Sequence, residues 1–147
     1  MPLFLLLIAL VALPLFSQQA AKPVYVVLWF DTEDFVDPRS DDAALELAQR
    51  LTRLGVRATF KVVGEKARVM EQRGRRDVIE ALRLHEIGPH GNYHSLHPAP
   101  SEYLEHMELS EGANQFYAHE ISGMRDLTRI FGQTPSCYGQ TGATSAP

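Results

Sequence analysis

The sequence predicts an α/β domain with about four parallel strands and flanking helices. Three observations lead there. The stretch Val24-Tyr25-Val26-Val27-Leu28-Trp29-Phe30 is apolar on both alternating faces, as strands buried on both sides of a parallel sheet are. Ala44, Leu47, Ala48, Leu51 and Leu54 then recur at helical spacing and give one apolar face. A second strand-like run follows at residues 56–63, with Val56, Ala58, Phe60 and Val62 on one face.

The remaining elements alternate in the same way. The first run ends abruptly in Asp31-Thr32-Glu33-Asp34, and Pro38 marks a turn. Ser40-Asp41-Asp42 offers N-caps for the first helix, and Gly55 is a natural residue just past its end. Gly64 closes the second strand, residues 65–73 are expected to be helical, and Gly74 interrupts them. Val78, Ile79 and Leu82 form the apolar face of the next helix, and Ile87 and Gly88 belong to a short third strand. Pro98 and Pro100 break the chain, and a helix can begin at Ser101 or just after it. Ala113, Phe116, Tyr117, Met124, Leu127 and Phe131 outline a long helix whose aromatics are expected in the core, with Gly132 at its end. Pro135-Ser136-Cys137-Tyr138-Gly139 reads as a short fourth strand.

The chain has 147 residues and a formal net charge of −4, which fits one domain and gives no basic stripe for nucleic acid. Cys137 is the sole cysteine, so no intrachain disulfide can form. Residues 3–16 are apolar and uncharged but too short for a comfortable membrane span. Followed by Ser17-Gln18-Gln19-Ala20-Ala21, they fit the core of an export signal cleaved after Ala20 or Ala21. The expected organisation is a signal peptide over 1–21 and one domain over 22–147. No stable membrane span is expected after cleavage, and the oligomeric state stays open.

The chemistry-bearing residues lie at strand ends. His90 and His94 stand four positions apart just after the third strand, and Asp31, Glu33 and Asp34 follow the first. In α/β folds functional groups gather beyond the carboxyl ends of strands. By itself a His-x-x-x-His pair suits metal ligation or hydrogen-bonded histidines, and an acidic cluster suits a ligand set or a capped turn. His85-Glu86 does not start a metalloprotease helix, because Pro89 occupies the second histidine position. Two histidines and a carboxylate with one open position make a recurring catalytic zinc set.

Three stretches resemble the polysaccharide deacetylase family, carbohydrate esterase family four. Phe30-Asp31-Thr32-Glu33-Asp34 looks like its first motif, and Ala58-Thr59-Phe60-Lys61-Val62-Val63-Gly64 is similar to its second strand. His85-Glu86-Ile87-Gly88-Pro89-His90-Gly91-Asn92-Tyr93-His94 looks like its histidine motif. The resemblance runs from about Val24 to the end and implies a partial, distorted (β/α) barrel. Pro135-Ser136-Cys137-Tyr138-Gly139 matches the third motif loosely and lacks its arginine, and the last two motifs have no counterpart. The expectation is an N-terminal part of a longer domain, or a truncated product.

The resemblance implies a divalent metal, zinc first, on Glu33, His90 and His94, with Asp34 in reserve because residues two apart share a strand face with Asp31. It also implies Asp31 as general base, a backbone N–H near Tyr138 as oxyanion donor, and removal of N-acetyl groups from a cell-wall or surface glycan outside the cytoplasm. The residue that would protonate the leaving amine has no counterpart in the matching motifs. The alternative is a catalytically impaired remnant that binds metal or glycan.

Overall fold

The computed structural model describes residues 22–94 and 96–141. Its centre is a three-stranded parallel sheet, β1 (Trp29–Thr32), β2 (Thr59–Val62) and β3 (Glu86–Pro89), ordered β1-β2-β3. Helix α1 (Arg39–Arg53) links the first two strands; α2 (Gly64–Gln72) and α3 (Arg76–Leu82) link the second to the third. After β3 come the single turn α4 (Pro100–Tyr103) and the long α5 (Leu109–Phe131). Among the described residues no helix is long and apolar enough to cross a membrane. The expected export signal lies outside the described residues, as does most of the tail.

Register gives the sheet two unlike faces. Phe30 pairs with Phe60 and Phe60 with Ile87, so one face is a row of large apolar side chains. It packs on Ala44, Ala48 and Leu51 of α1, Val78 and Leu82 of α3, and Leu127 and Phe131 of α5. Burying each of Phe60, Ile87 and Leu82 contributes about 1.5–3 kcal/mol relative to leaving it in water. The row on the other face is Asp31, Lys61 and Gly88. Because side chains alternate along a strand, this second face also carries Trp29, Thr59 and Glu86.

That polarity corrects the expectation of a first strand buried on both sides. Val24, Tyr25, Val26 and Val27 are exposed and lie before the strand begins. β1 is a sheet edge, and its ladder to β2 starts only at Trp29↔Thr59, with one further bond from Thr59 N–H to the Leu28 carbonyl. The helices fall close to expectation. α1 begins at Arg39 behind Pro38 rather than behind a capping side chain, and Ser40 instead donates to the carbonyls of Asp34 and Asp37. Gly55, Gly74 and Gly132 follow helix ends at φ of +67°, +70° and +66°, where a side chain would be strained.

Two further expectations change. The 135–139 segment runs beside β3 without becoming a strand: one backbone bond joins it, from Gly139 N–H to the Pro89 carbonyl. Pro135 has no N–H to give, and the Ser136 hydroxyl turns to the Glu86 carboxylate instead. In α5 only the C-terminal half is core. α5 packs on α2, α3 and β3; its Glu120, Gly123, Leu127 and Phe131 are buried, whereas Tyr117 is 60% exposed.

Candidate metal centre

The sheet ends bring the acidic cluster and the histidine pair to one rim. His90 follows β3, with its backbone N–H bonded to the Val62 carbonyl of β2 at 3.0 Å. The chain then reverses through Gly91 at φ +78° and His94 at φ +53°, both left-handed. The spacing of four is therefore a turn and not a helix face; it sets the two imidazole rings 5.2 Å apart. Just past β1, Glu33 Oε2 reaches within 3.2 Å of His90 Nε2 and 2.8 Å of His94 Nε2. Asp31 Oδ1 stands 3.9 Å from His90 Nε2.

Asp34 is elsewhere. Its carboxylate accepts from the backbone N–H groups of Asp37 and Val36, which hold its pKa below the usual carboxylate range. Its carbonyl accepts from the buried Lys66 ammonium at 2.7 Å. Lys66 also bonds Ser40 and pairs with the buried Asp41. Arg73 holds Asp41 from the other side and donates to the carbonyls of Phe35 and Val36. The loop that follows Glu33 is thus fastened to α2 by buried charge, which restricts where Glu33 can point.

The chemistry of the donor set fits a divalent cation. His90 Nδ1 lies 2.8 Å from the Gly139 carbonyl oxygen, which only accepts. Nδ1 is therefore the donor, and Nε2 is the ring nitrogen that faces Glu33. Ligand atoms around a tetrahedral ion at zinc distances lie about 3.3 Å apart. The distances from Glu33 to the two histidines are close to that, and one atom each from Glu33, His90 and His94 falls within 4.8 Å of the others. This group can hold a divalent metal.

Asp31 has a different neighbour. Lys61 Nζ lies 2.8 Å from Asp31 Oδ1, and this hydrogen bond is the main cause that lowers the Asp31 pKa, with His90 nearby adding to it and partial burial opposing. Tyr138 precedes the Gly139 that orients His90, and its ring stands edge-on to Phe116 at 5.2 Å. Burial, followed by the charge of Glu120, raises the Tyr138 phenol to about 12. A cavity of about 250 Å³ opens beside His94, with Leu96, Pro98, Tyr103, His119 and Glu120 in its wall. Burial raises the Glu120 pKa, against a hydrogen bond from the Asn92 backbone.

Several contributing residues were not legible as functional in the sequence. Lys61 is one; its only signal is that it is the one charged residue of β2. Asn92, between the histidines, is another. Its side chain donates to the His119 carbonyl and to Ser122 Oγ and accepts from Arg68, while its carbonyl accepts from Glu65 N–H. It ties the turn to α5 and α2. The close approach needs Gly64 and Gly123: a Cβ on Gly64 would lie 2.8 Å from the Gly123 Cα, and one on Gly123 would lie 2.9 Å from Asn92 Oδ1.

No family model and no curated protein matches the chain. Among solved structures it matches a family 4 acetyl xylan esterase from Clostridium thermocellum, solved in complex with a cobalt ion, at 21% identity and a TM-score of 0.45. The match covers 76% of this chain and 46% of that one, so this chain spans less than half of the esterase's length. The fold is an α/β arrangement of a three-stranded parallel sheet with flanking helices.

Proposed function

We propose that the chain is a metal-dependent hydrolase of the polysaccharide deacetylase type, which removes N-acetyl groups from an N-acetylated glycan of the cell wall or surface. The observation that carries this reading is the convergence of Glu33 on both His90 and His94, at 3.2 and 2.8 Å, with Asp31 beside them. Zinc is the cation proposed, on two imidazoles and a carboxylate. When bound, it supplies Lewis acidity for amide hydrolysis.

The chain's own residues have separate tasks. His90 and His94 would hold the cation through the ring nitrogens that face Glu33, and Glu33 would add negative charge to offset it. Asp31, kept ionised by Lys61, accepts the proton of the water that attacks the acetamide carbonyl. The backbone N–H of Tyr138 donates to the developing oxyanion, a role supported by the bond that its neighbour Gly139 accepts from His90. The C–N bond breaks as the leaving nitrogen takes that proton from Asp31, and the products are acetate and the free amine of the sugar. The cavity beside His94 offers room for that sugar. Export to the cell envelope or beyond is part of the proposal and rests on the uncharged apolar stretch at 3–16.

Acetate release from an N-acetylated chitooligosaccharide by the zinc-loaded chain tests the reading. Asp31→Asn is expected to lower kcat by about 10²- to 10⁴-fold, as loss of a general base does, while zinc binding persists. A wild type that binds zinc yet releases no acetate would instead support a remnant that has kept only its metal site.

A further inference from the structure

Asp31 is close enough to the metal group to become a fourth protein ligand, and one residue opposes this. Its Oδ1 is 3.9 Å from His90 Nε2, and half of its side chain is exposed, so it has room to turn. A carboxylate beside a divalent cation is drawn inward by charge. We propose that Lys61 is a positioning residue that withholds Asp31 from the cation, so that Asp31 stands beside the Glu33, His90 and His94 group instead of joining it. The inference rests on the hydrolase reading and deepens it: it separates the base from the ligands among otherwise similar carboxylates.

The geometry confines Lys61 from three directions. Sheet register pairs Lys61 with Asp31 across β1 and β2, so both side chains leave the same face at the same level. The Lys61 side chain is only 12% exposed, and its Nζ sits 5.0 Å from the centre of the Trp29 ring. On the far side is Gly139, where an added Cβ would lie 2.1 Å from Lys61 Cδ and 3.1 Å from Nζ. The ammonium is thus aimed at Asp31 Oδ1, 2.8 Å away. The Gly139 carbonyl also accepts from His90 Nδ1, so one extended segment orients a ligand and walls in the lysine that restrains its neighbour.

The test compares the full chain with Lys61→Met, Asp31→Asn and the double variant. Cobalt(II) affinity is read by calorimetry, the visible spectrum of the cobalt-loaded chain is recorded, and acetate release is followed alongside. Lys61→Met is expected to tighten cobalt binding about tenfold, the scale on which groups bonded to a ligand shell act. Its visible bands should weaken as the coordination number rises, and kcat should fall with KM little changed. Relief of charge repulsion alone would also tighten binding, so the double variant decides. If Asp31 becomes a ligand, the gain disappears when Lys61→Met is made in the Asp31→Asn background. Lys61→Arg, which can still pair with Asp31, should restore the spectrum and most of kcat. A gain that survives in the double variant, or a Lys61→Met spectrum identical to wild type, overturns the inference and leaves the hydrolase reading standing. Should Lys61→Met not fold, Lys61→Gln is read in the same way. A wild type that binds no cobalt overturns both.

Discussion

His90 donates from Nδ1 to the carbonyl of Gly139 at 2.8 Å, across 49 residues of sequence. The bond makes Nδ1 the donor and directs Nε2 toward Glu33. It also explains why a glycine suits position 139: the backbone must come this close while the Lys61 stem passes on its other side. Gly139→Ala is therefore expected to displace Lys61 or the segment itself, at about 1–3 kcal/mol, the usual cost of overpacking. Urea denaturation of the metal-free chain measures it. A variant as stable as wild type would show that the Lys61 stem is free to move aside.

Asn92 holds the histidine turn from behind. It is 3% exposed and bonds the His119 carbonyl, Ser122 and Arg68. Asn92→Ala leaves these groups unmatched and is expected to cost about 2–3 kcal/mol. Zinc affinity should fall with it, because the turn that carries His94 loses its anchor. Urea midpoints and a zinc titration at a temperature where the variant is folded check both effects.

Lys66 and Asp41 are both buried, and together they hold the loop after Glu33. Lys66→Met leaves the Asp41 carboxylate with Arg73 as its nearest compensation, 3.1 Å away. The expected loss is about 3–5 kcal/mol, typical of a broken buried pair. Changing Asp41→Leu along with it should recover part of that loss, since no uncompensated charge then remains inside.

Glu120 gives a pH dependence with a definite sign. Burial raises its folded-state pKa above the ordinary 4.5, so the folded chain holds that proton more tightly than the unfolded chain. The stability this contributes is full below pH 4.5 and is lost as pH rises through the folded value. Glu120→Gln removes the dependence. The variant should therefore gain stability relative to wild type as pH rises from 4 to 8, read as the difference between their urea midpoints at each pH. A constant difference would show that Glu120 titrates normally.

How much of this was legible in the sequence differs from residue to residue. Periodicity located α1, α3 and the later half of α5, because Ala48, Leu82 and Phe131 are all fully buried and the pattern follows burial. The same rule fails at Val24–Val27, which are apolar yet exposed, because hydropathy does not say where a ladder begins, and β1 starts only at Trp29. The fourth strand failed for a local reason: the Ser136 side chain bonds Glu86 in a stretch where a ladder needs backbone bonds. At the rim, strand alternation alone separates Glu33 from Asp34, since Asp31 and Glu33 lie two apart and the Asp34 carboxylate caps its own turn. Lys61 and Gly139 could not be read in this way. Their roles depend on a sheet register and a contact between segments far apart in the chain.

The central claim is that Glu33, His90 and His94 hold one divalent cation. X-ray absorption at the zinc edge of the loaded chain, compared with a His90→Ala/His94→Ala variant, tests it most directly. The account expects one zinc per chain, with two imidazole shells at about 2.0–2.1 Å in wild type. Neither the imidazole signature nor the stoichiometric zinc should survive in the variant. Zinc held equally by both proteins, or a wild-type spectrum without imidazole scattering, would contradict the account.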